Sequence, residues 1–505
     1  VECTCMCCSV GCRISIHSSR DELLRYQGVD IESVNWGWMC DKGRFSFQAI
    51  ESEHRLGDPL VRDDAGQQPA SWAVALSAAA GMINDALAAG GPTSIGLIGG
   101  ARGTNEDAFA WARLATALGI DRRDAQLGDG LPAGVLNLPR ATIAEAANAS
   151  TVILLGPDLK EEMGVLYLRL RDAAEKRRSR IIEFSAQDTG LTRSAWRSVR
   201  YMPGGAAAAI TRTLAEPEIA AQLASGDVVV VAGRANLAES EAVALSGLQA
   251  VLDAVPGAKL LPLLRRGNVT GALQLGLAPA NAELGALATL QAAADGKLEL
   301  LILLGADPLS DCPDADLARR AFAGVRRVLA IDTFPTESAS RADVVLPAAA
   351  FAEKTGTTTN LEGRVFRVNQ KVTVHGTSRP DWMIATELAL ELGHDLGFLT
   401  VDDVTAEIAA TVPAYGGVTV TAVDATNEGV LAVGQAGDLP EPTSVEQPPS
   451  SYDYRLVVSR KMYDSATTTA MSPSLAPLAI GAGAHLHPLD LDRIGEPEGT
   501  EVTLV

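Results

Sequence analysis

The sequence predicts an α/β protein built on two doubly wound parallel sheets, with a small cysteine-rich module in front and a turn-rich β piece behind. Three observations carry this. Apolar runs of strand length (Ser94–Gly99, Thr151–Gly156, Val228–Gly233, Leu300–Gly305) each end in glycine and lead towards a helical stretch. A strand that is apolar at every position is covered on both faces, as alternating strands and helices require. Six of the seven cysteines lie between Cys3 and Cys40, which sets that segment apart from the rest of the chain.

Composition bounds the class. At about 100–200 residues per domain, a chain of 505 residues holds roughly three to four. Hydrophobic residues make up 47% and charged residues 21%, an ordinary globular balance. Aromatic residues are only 4% while alanine and glycine abound, which suits closely packed layers. A formal charge of −20 argues against a nucleic-acid partner or an anionic membrane surface. The longest uncharged apolar runs are strand-sized, against the ~20 residues of a membrane-spanning helix, and there is no leader pattern. Outside the N-terminal module the only cysteine is Cys312, so no disulfide framework is expected, and a reducing compartment is. The chain opens Val1-Glu2-Cys3 and stops at Val505 in what reads as a strand, so it is expected to be an excerpt of a longer polypeptide.

In chain order, Arg13–His17 alternates in polarity and predicts a small antiparallel sheet, with His17 at a polar strand position. Trp72–Leu87 has an amphipathic helical pattern. After the strand Ser94–Gly99, Thr104 is placed to cap a helix over Asn105–Leu118. The strand Thr151–Gly156 precedes a helix with Met163, Leu166, Tyr167, Leu170 and Ala174 on one face, then the strand Arg180–Phe184. Asp227–Gly233 leads into a helix over Leu237–Val255. Leu298–Gly305 leads into a helix near Ala315–Ala323 and the strand Arg327–Ile331. The segments beginning at Thr151 and Leu300 read as two copies of one βαβ plan. Asp381–Leu392 is helical, 413–451 is rich in proline, glycine and acid and reads as a linker, and 452–505 carries short β runs.

The chemistry sits in Cys5-x2-Cys8-x3-Cys12 and the later Trp36-Gly37-Trp38-Met39-Cys40-Asp41-Lys42-Gly43-Arg44-Phe45. Three thiolates in a tight loop and one returning from a distance suit a [4Fe–4S] cubane, which needs four cysteine ligands. Zinc is the competitor, but four-cysteine zinc sites usually present two separated pairs. Cys5, Cys8, Cys12 and Cys40 are therefore the candidate ligands, with Cys3 and Cys7 surplus. Lys42 and Arg44 would place positive charge near the cluster and raise its potential. Cys312 reads as a buried small residue. No glycine turn spells a dinucleotide fingerprint or a P-loop.

This spacing, followed by Asp41-Lys42-Gly43-Arg44-Phe45, resembles the cluster domain of the molybdopterin oxidoreductase superfamily. So do Asp343-Val344-Val345-Leu346-Pro347, the block Glu353-x2-Gly356-Thr357-x2-Asn360-x-Glu362-Gly363-Arg364, and Asp381-Trp382. Within it, the Trp36–Phe45 block, Asn105-Glu106 and Asp124 are most similar to the family of large iron–sulfur subunits of bacterial NADH-quinone oxidoreductase (complex I). The resemblance implies a cluster domain over 1–55 that takes back a segment near 350–380. It implies a first α/β domain over 56–130 and 225–350 with 381–395, a second over 131–224, and a truncated C-terminal β-barrel over 452–505.

The resemblance also implies one [4Fe–4S] cluster here, with a [2Fe–2S] and further [4Fe–4S] clusters expected before Val1. The implied setting is a peripheral subunit on the cytoplasmic face of the bacterial plasma membrane. Its partners would be NADH/FMN-binding and quinone-module subunits, and it would touch the membrane only through them. Catalytic relatives hold molybdenum or tungsten through a cysteine, selenocysteine, serine or aspartate after the first α/β unit. The corresponding region here reads Asp121–Gly130, and no cysteine lies between Cys40 and Cys312. No molybdopterin is therefore expected. The alternative is a catalytic molybdenum or tungsten enzyme such as a formate dehydrogenase or nitrate reductase, with Asp124 or Asp129 as metal ligand.

Overall fold

The computed structural model describes residues 1–176, 178–432, 434 and 454–501. Two open sheets carry the architecture. One has five strands, all parallel, in the order Arg197–Arg200, Arg180–Ser185, Thr151–Leu155, Val228–Gly233, Lys259–Leu263. The other has seven, in the order Gly66–Pro69, Leu60–Asp63, Val344–Pro347, Arg327–Asp332, Leu300–Leu304, Ile95–Gly99, Arg123–Asp124. Its last five strands are parallel, and an antiparallel hairpin closes one edge. The two expected βαβ copies are there, one in each sheet. In both, the central strands are buried at every residue, as their unbroken apolar runs require.

One boundary differs from the sequence reading. The strand Val228–Gly233 does not join the first α/β domain. It lies parallel to Thr151–Leu155, with Val230 opposite Ile153, and Lys259–Leu263 follows it into the five-stranded sheet. An all-apolar strand carries no mark of which of two like sheets it enters; pairing decides that.

Local chemistry sets most helix ends. Thr104 caps Asn105–Ala117 in a capping box with Asp107, and Ser240 caps Glu241–Ala254. The latter helix starts after Leu237 because the Asn236 carboxamide takes the preceding turn, accepting from Ala238 N at 3.0 Å. On the helix Gly164–Glu175 the buried face is Val165, Leu166, Arg169, Leu170 and Ala173, displaced from the predicted stripe by an arginine. The Arg169 guanidinium lies 3.8 Å over the Trp36 ring and donates to the carbonyls of Glu32 (2.6 Å) and Val34 (3.3 Å). It fixes the cysteine module to the five-stranded layer.

The helix Trp72–Gly90 corrects the membrane expectation: by length and composition it could cross a bilayer. In the fold it buries Ala75, Leu76, Ala79, Ile83 and Ala86 in the main core. The C-terminal expectations also change. Residues 413–431, read as linker, hold the helix Val420–Asp424 and the fully buried Tyr415, whose hydroxyl pairs with Thr359 Oγ1 at 2.8 Å. Val430–Leu431 adds a strand beside Arg364–Val368. Beyond these, residues 432 and 434 are described and the rest of the linker lies outside the described residues. Among the described residues of 454–501 there is no strand of a barrel, only short helices such as Thr467–Ala470 and Pro488–Ile494. Residues 502–505 lie outside.

The small sheet Glu2–Thr4, Arg13–Ser19, Glu22–Gly28 is antiparallel, as the alternation predicts. The hairpin Gly356–Thr359/Arg364–Val368 returns to it. Thr4 Oγ1 and Arg13 Nη1 both donate to Arg367 O at 3.0 Å, and Leu361 N donates to Ser9 O at 2.8 Å. The exit from the module is held by Arg55, whose guanidinium makes a two-pronged buried pair with Glu353 at 3.1 and 2.8 Å. Removing one partner of such a pair strands the other charge. Glu353→Ala is expected to lower unfolding stability by about 3–5 kcal/mol, measured by urea unfolding.

Candidate functional site: a four-cysteine recess and the cleft beside it

Cys5, Cys8 and Cys12 lie on the loop between Glu2–Thr4 and Arg13–Ser19, closed by Cys5 N donating to Cys12 O at 2.8 Å. Gly11 takes a left-handed φ of +66° inside that loop. Cys40 caps the helix Asp41–Phe45, its Sγ accepting from Gly43 N at 3.4 Å. The four cysteines line one recess, together with Met39, Gly43 and Gly164. Asn35, which sequence reasoning missed, brings the distant Cys40 back. Its Oδ1 accepts from Arg13 N at 3.0 Å, and its Nδ2 donates to Val29 O and Trp38 O, each at 3.1 Å. Behind the loop, Ser9 N donates to Arg265 O at 3.1 Å. A Cβ on Gly267 would come 2.2 Å from Met6 O, so only glycine permits that approach.

The donor set fits a multi-iron group better than one ion. Four thiolates 2.3 Å from a zinc would lie about 3.8 Å from each other. Among the described residues no three His, Cys, Asp or Glu side chains converge as one ion requires. The cysteines instead ring a space walled by glycine. A Cβ on Gly43 would sit 3.2 Å from Cys5 Sγ and 3.7 Å from Cys40 Sγ. Burial pushes the Cys8 thiol up to about 12 and raises those of Cys12 and Cys40. A hydrogen bond with Cys7, then burial, raises Cys5. A cationic iron group held by these cysteines would reverse that preference by taking the thiolate form. Cys7 faces the neighbouring cleft, and its thiol is held at about 7, chiefly through its hydrogen bond with Cys5. Cys3 is buried in its strand and accepts from Asn369 N at 3.4 Å.

Lys42 does not leave its charge free beside the recess. Its Nζ pairs with Asp464 at 2.8 Å, and both side chains are more than four-fifths buried. It lines a second cavity of about 170 Å³, which lies at the carboxyl ends of Ile95–Gly99, Leu300–Leu304 and Arg327–Asp332. In the seven-stranded sheet the chain order reverses between the first two of these strands. Open α/β sheets take ligands at such a crevice.

The aspartates weighed as metal ligands are otherwise engaged. Asp124 sits on an edge strand, accepting from Gln126 N (2.9 Å) and Ala286 N (3.0 Å), and burial raises its carboxyl to about 7. Asp129 is ringed by Arg266 at 2.8 Å, Arg460 at 3.1 Å and Arg265 at 3.7 Å. Burial would raise its carboxyl, but the three guanidiniums outweigh that and hold it far below the usual carboxylate range. Asp311 is held low in the same way by Arg266, Arg102 and Arg265. The Arg265-Arg266 pair after an apolar strand was the one signal of this cluster in the sequence. Cys312 belongs to the core on the other face of the seven-stranded sheet, where burial raises its thiol to about 11.

The residues of the 353–364 block are structural. Glu106 accepts from Thr357 N (2.7 Å), Thr357 Oγ1 (2.8 Å) and Thr405 Oγ1 (2.9 Å). Glu362 accepts from Ile143 N at 2.6 Å, and Asn360 from the N–H groups of Glu362 and Arg364. Lys354 bridges Asp107 (2.7 Å) and Asp381 (3.2 Å).

The cysteine-lined recess thus stands beside two largely parallel sheets. The chain belongs to the molybdopterin oxidoreductases: the model of that family matches residues 55–391, and the molybdopterin oxidoreductase Fe4S4 domain matches residues 1–52. The NADPH-Fe(3+) oxidoreductase subunit alpha of Geobacter sulfurreducens is 28% identical over 99% of this chain and 68% of its own length. An NADH-quinone oxidoreductase subunit of Streptomyces coelicolor is 31% identical over 72% of this chain, which spans about half (49%) of that relative. The F420-dependent formate dehydrogenase 1 subunit alpha of Methanococcus maripaludis is 25% identical over 82% of this chain and 74% of its own. The acetylene hydratase of Pelobacter acetylenicus shares the fold, with a TM-score of 0.58 at 15% identity over 83% of this chain and 72% of its own.

The Asp129 cluster sets an acid limit. A carboxyl held below its unfolded value stabilises the fold fully above about pH 4, and that contribution fades as pH falls further. Asp129→Asn is expected to cost about 3–5 kcal/mol at pH 7, because three arginines lose their anion. The gap from the parent should close as pH drops below about 4, read from urea midpoints across pH 3–7.

Proposed function

We propose that the chain is the iron–sulfur portion of a subunit in the peripheral arm of respiratory NADH:quinone oxidoreductase, with an electron-transfer or structural role and no pterin site. The observation that carries it is the convergence of Cys5, Cys8, Cys12 and Cys40 on one recess. A bound [4Fe–4S] cluster supplies one-electron transfer. The chain's residues do the rest: four thiolates hold the group, and Gly43 N–H donates to the Cys40 sulfur. Arg169 and Asn35 keep the returning segment in place, and Met39 and Val10 exclude water.

Similarity to the NADH-quinone oxidoreductase relatives supports the respiratory setting, and the Geobacter relative shares with them a reduced nicotinamide nucleotide in its name. On this reading the partners are the NADH- and flavin-binding subunits and the quinone module. The place is then the cytoplasmic face of the bacterial plasma membrane, and the remaining clusters lie in other parts of the assembly. The engagement of Asp129 by three arginines argues against a metal ligand there.

A second reading, catalysis with molybdenum or tungsten, draws on the formate dehydrogenase relatives and the cavity with Arg102, Arg265 and Arg266 on its rim. Anaerobic metal analysis with EPR separates the two. The expected result is about four irons per chain, lost on Cys40→Ser, with no molybdenum, tungsten or pterin. Formate-dependent dye reduction by metal- and pterin-loaded protein would overturn it.

A further inference from the structure

The C-terminal segment 455–472 has no role in the reading above. It runs across the carboxyl ends of both sheets. At the five-stranded sheet, Leu237 N donates to Val458 O (3.1 Å), while the Asn236 side chain donates to Leu456 O (3.0 Å) and accepts from Val458 N (2.8 Å). Asn236 follows the end of Val228–Gly233, beside which the strand order of that sheet reverses. Met462 N then donates to Glu161 at 3.1 Å, Tyr463 OH to Asp41 at 2.7 Å, and Ala466–Thr468 line the cavity at the seven-stranded sheet. The segment thus bridges the two crevices in which open α/β sheets take ligands.

It also reaches Gly164, which lines the cysteine recess. A Cβ on Gly164 would meet Met462 Cε at 3.2 Å and Cys40 Cβ at 3.3 Å, so strap and fourth cysteine share one wall. Asp464 is the hub: it holds Lys42 at 2.8 Å and Arg265 at 3.7 Å, and accepts from Ala466 N (3.2 Å) and Thr469 Oγ1 (2.9 Å). Arg460 docks on Asp129 from the other end. Thr469 and Ser472 are fully buried, which anchors the far side.

We propose that 455–472 is the cover of the four-cysteine recess, and that Asp464 is its positioning residue, neutralising Lys42 and latching the strap. This rests on the cluster reading. Freeing Lys42 favours the reduced, more negative cluster. Asp464→Asn in the full-chain holoprotein is therefore expected to shift the EPR-monitored potential upward. Its visible absorbance should bleach several-fold faster in air, and trypsin should cut faster after Lys461. An unchanged potential together with unchanged bleaching and cleavage would overturn the proposal.

If Asp464→Asn does not fold, Thr469→Val takes its place. Loss of the hydroxyl that donates to Asp464 at 2.9 Å should speed both bleaching and cleavage, and no change in either overturns the cover. A chain that binds no iron sinks the cluster reading alone. The cover is then read from the rate at which a thiol reagent modifies Cys40. Faster labelling in Asp464→Asn supports it, and equal labelling with equal cleavage overturns it.

Discussion

The Asp129 carboxylate is buried where three parts of the chain meet, and it stays ionised there because Arg265, Arg266 and Arg460 surround it. Left unpaired in that position, the carboxyl would take up a proton rather than remain charged. The arginines come from the end of the five-stranded sheet and from the C-terminal segment. Asp129 itself follows the edge strand Arg123–Asp124 of the seven-stranded sheet. Through the Arg265 carbonyl the same cluster holds the cysteine loop at Ser9. One ionic contact thus sets the spacing of sheets, strap and cysteine module together.

The cysteine recess depends on that spacing. Its cysteine loop rests on Gly267 and on the hairpin 356–368, while Cys40 is carried back by Asn35 and by the stack of Arg169 on Trp36. None of these supports is covalent, and most are hydrogen bonds to backbone. The recess is held by the surrounding domains more than by its own loop, which is short and contains few large apolar residues.

Next to it the cleft at the strand ends keeps the form of a ligand site, yet its charged groups face each other. Lys42 meets Asp464, Arg266 meets Asp129 and Asp311, and Lys354 meets Asp107 and Asp381. A rim in which cations already have carboxylate partners has less to offer an anionic ligand than its count of basic residues suggests.

The sequence by itself determined the central strands, several caps and the grouping of the cysteines. Each of these is local: a strand apolar on both faces, Thr104 three residues before Asp107, thiols at x2 and x3 spacing. What tertiary structure decided is everything that depends on pairing between distant segments. Val228–Gly233 could serve either sheet until it lay against Thr151–Leu155. The apolar helix Trp72–Gly90 packs one face into the main core. The C-terminal residues, read as a piece of barrel, form a strap among their described residues because the ends of two sheets and the charge of Lys42 give their backbone and Asp464 partners. Spacing along a chain fixes which groups a segment offers, and only the packed fold fixes which groups meet them.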